Sequence, residues 1–461
     1  MNWSKKFRAP VVISAFMTTQ GVHPQPNHLI SSLQRRAAIK LGLVGGLGVG
    51  LADLLRSEAQ ATELAAPPAK AKSVIFLWLY GGVSHHDTFD MKTEASREIR
   101  GEFTSIPTNL PGYHLCELMP ELAKTMDKLT VLRSVTHGEA AHERSAIYMV
   151  EGRRPAPATG ISFSGNPHLG CMVSDQLGMR NGMPAYVSIP GNDKTSGFVG
   201  NGFLPRSTAA FKQTDAKTLL GSDVSGDRFG SRVGLLKELD KTVESARQQY
   251  GDQWDQFSEQ AIDIVTSGRA AAAFDIEKEP QEVRAAYGAD GKNQMGDLCL
   301  RARRLVESGV RFVTVGNDTK APHWDHHGNI FKLMRDRLPR NDRAIAALIR
   351  DLYDRGMLDE TLVVVGTEFG RTPKVNVRAG RDHWPKVFSM AFAGGGIGGG
   401  RVIGSSDKIG GEPASDPASP EELAATILHL TGIHPQTEVM LSGNRPFALI
   451  DKAKPFAKLL A

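Results

Sequence analysis

The sequence predicts an α/β fold built on a mostly parallel sheet. Short runs that are apolar at nearly every position recur along the chain, helical stretches separate them, and metal-type side chains crowd the positions just after the runs. Runs without polar alternation are those of strands buried on both faces, and strands alternating with helices give a parallel sheet covered on both sides.

The first apolar run is Val74–Tyr80, and similar ones follow at Leu129–Leu132, Ala185–Ile189, Val310–Val315, Leu362–Val365 and Phe388–Phe392. Helical patterns fall at Arg232–Tyr250, Met295–Ser308 and Asn341–Arg355, the last ended by Gly356. The polar stretch from about 221 to 287 has no clear strand and reads as a helical insertion on the sheet domain, a separate helical domain being the alternative. Gly394–Gly400 follows a strand but lacks the Lys-Ser/Thr pair of a phosphate loop, and reads as a flexible turn.

Ahead of the first strand, residues 1–61 have the layout of an export signal. Arg35-Arg36 and Lys40 precede a Gly-rich apolar stretch, Leu41–Ala52, and Ala59-Gln60-Ala61 offers a small-residue cleavage site. The paired arginines resemble a twin-arginine signal, although Gln34 and Ala38 depart from the usual pattern. An anchor that is never cut is the other reading. The segment predicts export to the periplasm or beyond, with the twin-arginine machinery as a partner. Residues 62–72, rich in Ala, Pro and Lys, read as a linker before a domain over 73–461. No later apolar run is long enough to span a bilayer, so no stable membrane span is expected once the signal is removed.

The net charge of +5 belongs to this N-terminal segment. Seven basic and two acidic residues precede Thr62, and the remainder carries equal numbers of each. Charge therefore gives no reason to expect nucleic acid as a partner. The three cysteines, Cys116, Cys171 and Cys299, are too scattered for a disulfide framework or a CxxC zinc site.

In open parallel sheets, ligands bind beyond the carboxyl ends of the strands. There the sequence places Ser84-His85-His86-Asp87 with Asp90, the cluster His323, Asp325, His326 and His327, and Thr367-Glu368-Phe369-Gly370-Arg371; Arg381-Asp382-His383-Trp384 precedes the last strand. A lone His or Asp after a strand is ordinarily a cap or a satisfied loop residue. Three of the fourteen histidines within five positions are not explained that way. Imidazole with carboxylate suits zinc and related divalent ions, and two ions could clamp a phosphoryl-like group.

The ordered motifs GGVSHHDTFD, THGEAAH, ARRLVESGVRFVTV, WDHHGN, TEFGRTP, GRDHWP and AGGGIGGGRVIG resemble the exported domain-of-unknown-function family 1501, grouped with the alkaline phosphatase and sulfatase superfamily. The resemblance runs from about Ser73 to the C-terminus. It implies an alkaline-phosphatase-like three-layer α/β/α sandwich and one or two divalent ions, zinc foremost, with calcium and manganese as alternatives. Matched motif by motif, it implies Asp87, Asp325, His327, Glu368 and His383 as ligands. Phe369 stands where the superfamily has another ligand. The Cys/Ser-x-Pro-x-Arg nucleophile signature of sulfatases has no counterpart here. Spacing before Gly152 points instead to His142, flanked by His137 and Glu139, and to Ser145, which reads more readily as an ordinary helix residue. Arg371 and Lys92 are the candidate anion contacts, and Trp324 and Trp384 could pack around the ligands or stack on a sugar. The implied activity is metal-dependent hydrolysis of phosphate or sulfate esters, on a small-molecule or polysaccharide substrate outside the cytoplasm. A degenerate member that binds metal or polysaccharide without turnover is the alternative. A serine esterase using Ser84 is weaker, because GGVSHH lacks the G-x-S-x-G elbow.

Overall fold

In a computed structural model the described residues are 66–155, 165–190, 200–212, 269–291, 293–316, 323–441 and 444–460. They belong to the compact unit Leu64–Ala461. The export signal, the helix expected at Arg232–Tyr250 and residues 221–268 of the expected insertion lie outside them.

Eight strands form the central sheet: β1 (Ser73–Trp78), β2 (Thr130–Val135), β3 (Tyr186–Ile189), β4 (Phe211–Lys212), β5 (Phe312–Val315), β6 (Thr361–Gly366), β7 (Phe388–Ala393) and β8 (Arg401–Ile403). Their order is β8-β2-β7-β6-β1-β5-β3-β4. β1 pairs in parallel with β6, Val74 opposite Leu362, and with β5, Val74 opposite Phe312. Only β7 runs against its neighbours, β2 and β6. All six strands expected from apolar runs are present. The two edge strands β4 and β8 were not expected, being too short to leave a pattern.

Alternation along each strand divides the core in two. Ile75, Leu77, Val313, Val363 and Val365 face one side and pack with Leu298 and Leu305 of α4 (Gln294–Ser308) and Ile345 and Leu348 of α5 (Ile330–Asp354). Val74, Phe76, Trp78, Leu362 and Val364 face the other, against α1 (His142–Glu151), α2 (Leu169–Leu177) and α6 (Pro420–Leu430). The fold is therefore an α/β/α sandwich. A further helix, α3 (Gln281–Tyr287), lies with the short helix Arg269–Phe274 on the α4 side, where Arg304 of α4 donates to Ala272 O (2.6 Å). This described end of the expected insertion is helical and shares the sheet domain's core through Ala270, Ala273 and Tyr287.

Helix α5 begins at Ile330, well before the expected Asn341, and carries Pro339 inside it. Proline removes one intrahelical bond, but Phe331, Met334 and Leu338 continue the buried face across it. The end of the linker is docked: the Lys70 and Ala71 amides both donate to Leu430 O, each at 2.8 Å. The Gly394–Gly400 run is a tight connection from β7 to β8, closed by Ile397 N donating to Gly394 O (3.0 Å). Among the described residues no helix is long and apolar enough to cross a membrane.

Candidate metal centre

Seven parallel strands end on one edge of the sheet, and the antiparallel β7 begins on that edge. Residues after β1, β5 and β6 therefore meet residues before β7. Trp324 N donates to Tyr80 O (3.2 Å), which brings the 323–327 loop to the end of β1. Gly81, at φ +116°, permits this approach, because a Cβ there would lie 2.5 Å from Trp324 N and 2.6 Å from Asp325 N. His383 comes from the short ribbon Gly370–Arg371/His383–Trp384, and His142 is the first residue of α1.

Three imidazoles surround Asp325 in the same way. His142 Nδ1 donates to Glu368 Oε1 (2.6 Å), His327 Nδ1 to Asp382 Oδ1 (2.7 Å) and His383 Nδ1 to the Ala140 carbonyl (2.8 Å). An acceptor on each Nδ1–H fixes the ring's orientation and leaves Nε2 as the atom that would bind an ion. Those Nε2 atoms turn inward. His327 and His383 lie 3.0 and 3.2 Å from Asp325 Oδ1 and 3.0 Å from each other, and His142 lies 3.3 Å from Oδ2. The His142 approach lacks hydrogen-bond geometry, so its buried Nε2 has no hydrogen-bond partner. One donor atom each from His142, Asp325 and His383 falls within 4.8 Å of the others, close enough to share one ion, and His327 stands at the edge of that group.

The electrostatics are those of a cation site waiting for charge. Burial works against a charged His142, but Asp325 and Glu368 outweigh it and hold the ring up to about 9. Burial also opposes the Asp325 carboxylate, yet contacts with His142, His383 and Arg371 keep it far below the usual range. Two inward-turned imidazoles, which would give up the Nε2 proton to an ion, and a carboxylate, with a third imidazole alongside, fit a divalent ion with mixed N and O donors.

Of the expected ligands, Asp325, His327 and His383 are at this centre. Glu368 stands one layer behind, fully buried, where it also accepts from Gly81 N (2.7 Å). Asp87 is not brought to the centre: its carboxylate accepts from Arg381 Nε (2.9 Å) and Ser84 Oγ (2.5 Å), with both ion-pair partners wholly buried. Asp90 is likewise engaged, with Lys92 at 3.1 Å, so Lys92 faces that carboxylate rather than the centre. His142, expected as a catalytic residue, has a ligand's geometry. Ser145 points elsewhere, donating to Glu139 O (2.8 Å) from inside α1. Arg371 is at the centre but already occupied. It donates to Asp325 Oδ1 (2.7 Å), Gly82 O (2.9 Å), Arg381 O (2.9 Å) and Gly81 O.

Phe369 is fully buried and forms an aromatic wall, its ring 4.9 Å from His142 and 4.5 Å from His383. Trp324 is buried, and Trp384 donates to Gly411 O (2.7 Å). His326 turns back to His323 O (3.1 Å). Asp382 holds His327, a role that the sequence did not assign to it. Its position directly before His383 was visible, but its partner, His327, is 55 residues away in the chain.

Structure comparison finds similarity to a protein in the alkaline phosphatase superfamily from Vibrio parahaemolyticus (12% identity, TM-score 0.38, covering 81% of this chain and 73% of that one). It also finds the lipoteichoic acid synthase LtaP from Listeria monocytogenes (10%, 0.37, 85% and 80%) and alkaline phosphatase from the Antarctic bacterium TAB5 (12%, 0.36, 78% and 98%). Likeness at this level decides nothing about the reaction. No curated protein matches. A family match, by contrast, spans residues 71–460, and on that extent the chain belongs to the family described as protein of unknown function, DUF1501.

Proposed function

We propose that this protein is a metal-dependent hydrolase of phosphate or sulfate esters that acts outside the cytoplasm. The observation that carries the reading is the set of three histidines, each tied through Nδ1 and each presenting Nε2 toward Asp325. A donor set this rich in imidazole favours zinc over calcium, with manganese also accommodated. The ion would be held by His142, Asp325 and His383, with His327 able to close the shell. It would supply Lewis-acid polarisation of an ester oxygen.

The chain's own groups prepare that chemistry. Glu368, Asp382 and Ala140 O aim the imidazoles, Phe369 keeps one wall dry, and Arg371 adds a fixed positive charge beside Asp325 that suits an anionic ester. The substrate would be a small-molecule or polysaccharide ester. Export rests on the Arg35-Arg36 segment, with the twin-arginine machinery as its carrier.

One observation favours a second reading, a member that binds metal without turnover. The nearby hydroxyls of Ser84, Ser145 and Thr367 all donate elsewhere, to Asp87, Glu139 O and Leu79 O. The two readings separate in one experiment. Protein purified without chelator is assayed for metal and for turnover of aryl phosphates and aryl sulfates, with added zinc, manganese or calcium. Bound metal with ester turnover, both lost in Asp325→Ala and His383→Ala, is the expected outcome. Metal without turnover on any ester selects the second reading, and metal content unaffected by both substitutions removes the centre.

A further inference from the structure

A centre for two ions needs a second set of free donors about 3.5–4 Å beyond the first. Among the described residues, Glu368, Asp382 and Asp87 near Asp325 are each already engaged by N–H or O–H donors. Glu368 accepts from His142 Nδ1 and Gly81 N. Asp382 accepts from His327 Nδ1 and from Asn376 Nδ2 (3.3 Å). Asp87 accepts from Ser84 and from Arg381.

The two guanidinium groups form a continuous layer. Arg381 Nε and Nη2 reach Asp87 at 2.9 and 3.4 Å, the Arg381 carbonyl accepts from Arg371 Nη1 at 2.9 Å, and Arg371 Nη2 reaches Asp325 at 2.7 Å. Both arginine side chains are wholly buried, and guanidinium keeps its charge at any working pH. Asp87, which could have served a second ion, thus carries a permanent protein cation instead, and Asp325 carries another beside the first site.

Charge counting agrees. The carboxylates touching the histidines are Asp325, Glu368 and Asp382, and the guanidinium touching them is Arg371; one divalent ion brings this set to neutrality. Asp87 and Arg381 cancel each other. A second divalent ion would leave uncompensated positive charge beside the wholly buried Arg371, which is costly.

We infer that the centre takes a single divalent ion, and that Arg371 occupies beside Asp325 the place a second ion would need. The inference rests on the metal-centre reading above and deepens it. The test is the metal content of the full chain after dialysis against excess zinc and then metal-free buffer, measured by elemental analysis and by calorimetric titration of the stripped protein. One ion per chain is expected, and an Asp87→Asn variant should bind one ion with affinity within about threefold of the parent. Two ions per chain, or a tenfold or greater loss in Asp87→Asn, would overturn the inference. Should that variant fail to fold, the stoichiometry of the parent chain still decides. One ion without ester turnover defeats the hydrolase reading and leaves this inference standing, whereas two ions with turnover do the reverse; no bound ion defeats both.

Discussion

Each imidazole at the centre has one nitrogen committed to an oxygen, so the ligands' orientation is set by residues that need not touch an ion. Glu368 is the most constrained of these, being buried and shared between His142 Nδ1 and Gly81 N. Replacing it by Gln preserves shape while removing the charge that holds His142 Nδ1. Zinc affinity should fall by about 10- to 100-fold, the usual cost of losing such support, in a competition titration with a chromophoric chelator. An unchanged affinity would mean that Glu368 does not orient His142. Legibility at this scale was uneven. Asp325 and His327 stood out because histidines cluster where a strand ends, and His383 through the family motif GRDHWP. The pairing of Asp87 with Arg381 did not, because it joins residues 294 positions apart and nothing local in SHHDTFD or GRDHWP announces it.

At the scale of elements, the interior strands were legible because burial on both faces leaves unbroken apolar runs, while the edges β4 and β8 are too short to carry one. The start of α5 was hidden by Pro339, which reads as a break although the buried face continues past it. Helix α6 shows local sequence deciding local structure. Ser419 and Glu422 form a capping box: Ser419 Oγ accepts from Glu422 N (3.3 Å) and Glu422 Oε2 accepts from Ser419 N (2.9 Å), with Pro420 at the first turn. The Ser419→Ala variant should lose about 1 kcal/mol, read as a lower urea midpoint with the slope unchanged. A midpoint equal to the parent's would show that packing alone sets the start of the helix.

Across the whole molecule, stability should depend on pH through a group far from the centre. Asp342 on α5 is buried and accepts from Glu121 N (2.9 Å) and Leu122 N (2.8 Å). Burial pushes its carboxyl up to about 6 in spite of those bonds. Because the folded value lies above the unfolded one, its favourable contribution is complete below the unfolded value, near 3.9, and is lost as pH rises through about 6. The Asp342→Asn variant lacks this titration. From pH 4 to pH 7 its stability should gain on the parent's by about 2–3 kcal/mol, and parallel pH profiles in urea unfolding would refute the assignment. The sandwich itself was readable from alternating strands and helices, whereas the reversed direction of β7 follows from pairing, which a single sequence does not display.

That reversal has a consequence for how such a protein can change over generations. Because β7 enters the sheet from the edge where its neighbours finish, the stretch between β6 and β7 leaves the framework and rejoins it on the same edge, bringing Arg371, Asp382 and His383 along one excursion between two core strands. Such an excursion is a cassette. Away from the residues that serve the centre, its length and side chains can drift, altering what the protein recognises, while the strands at either end keep their partners and the scaffold is inherited intact.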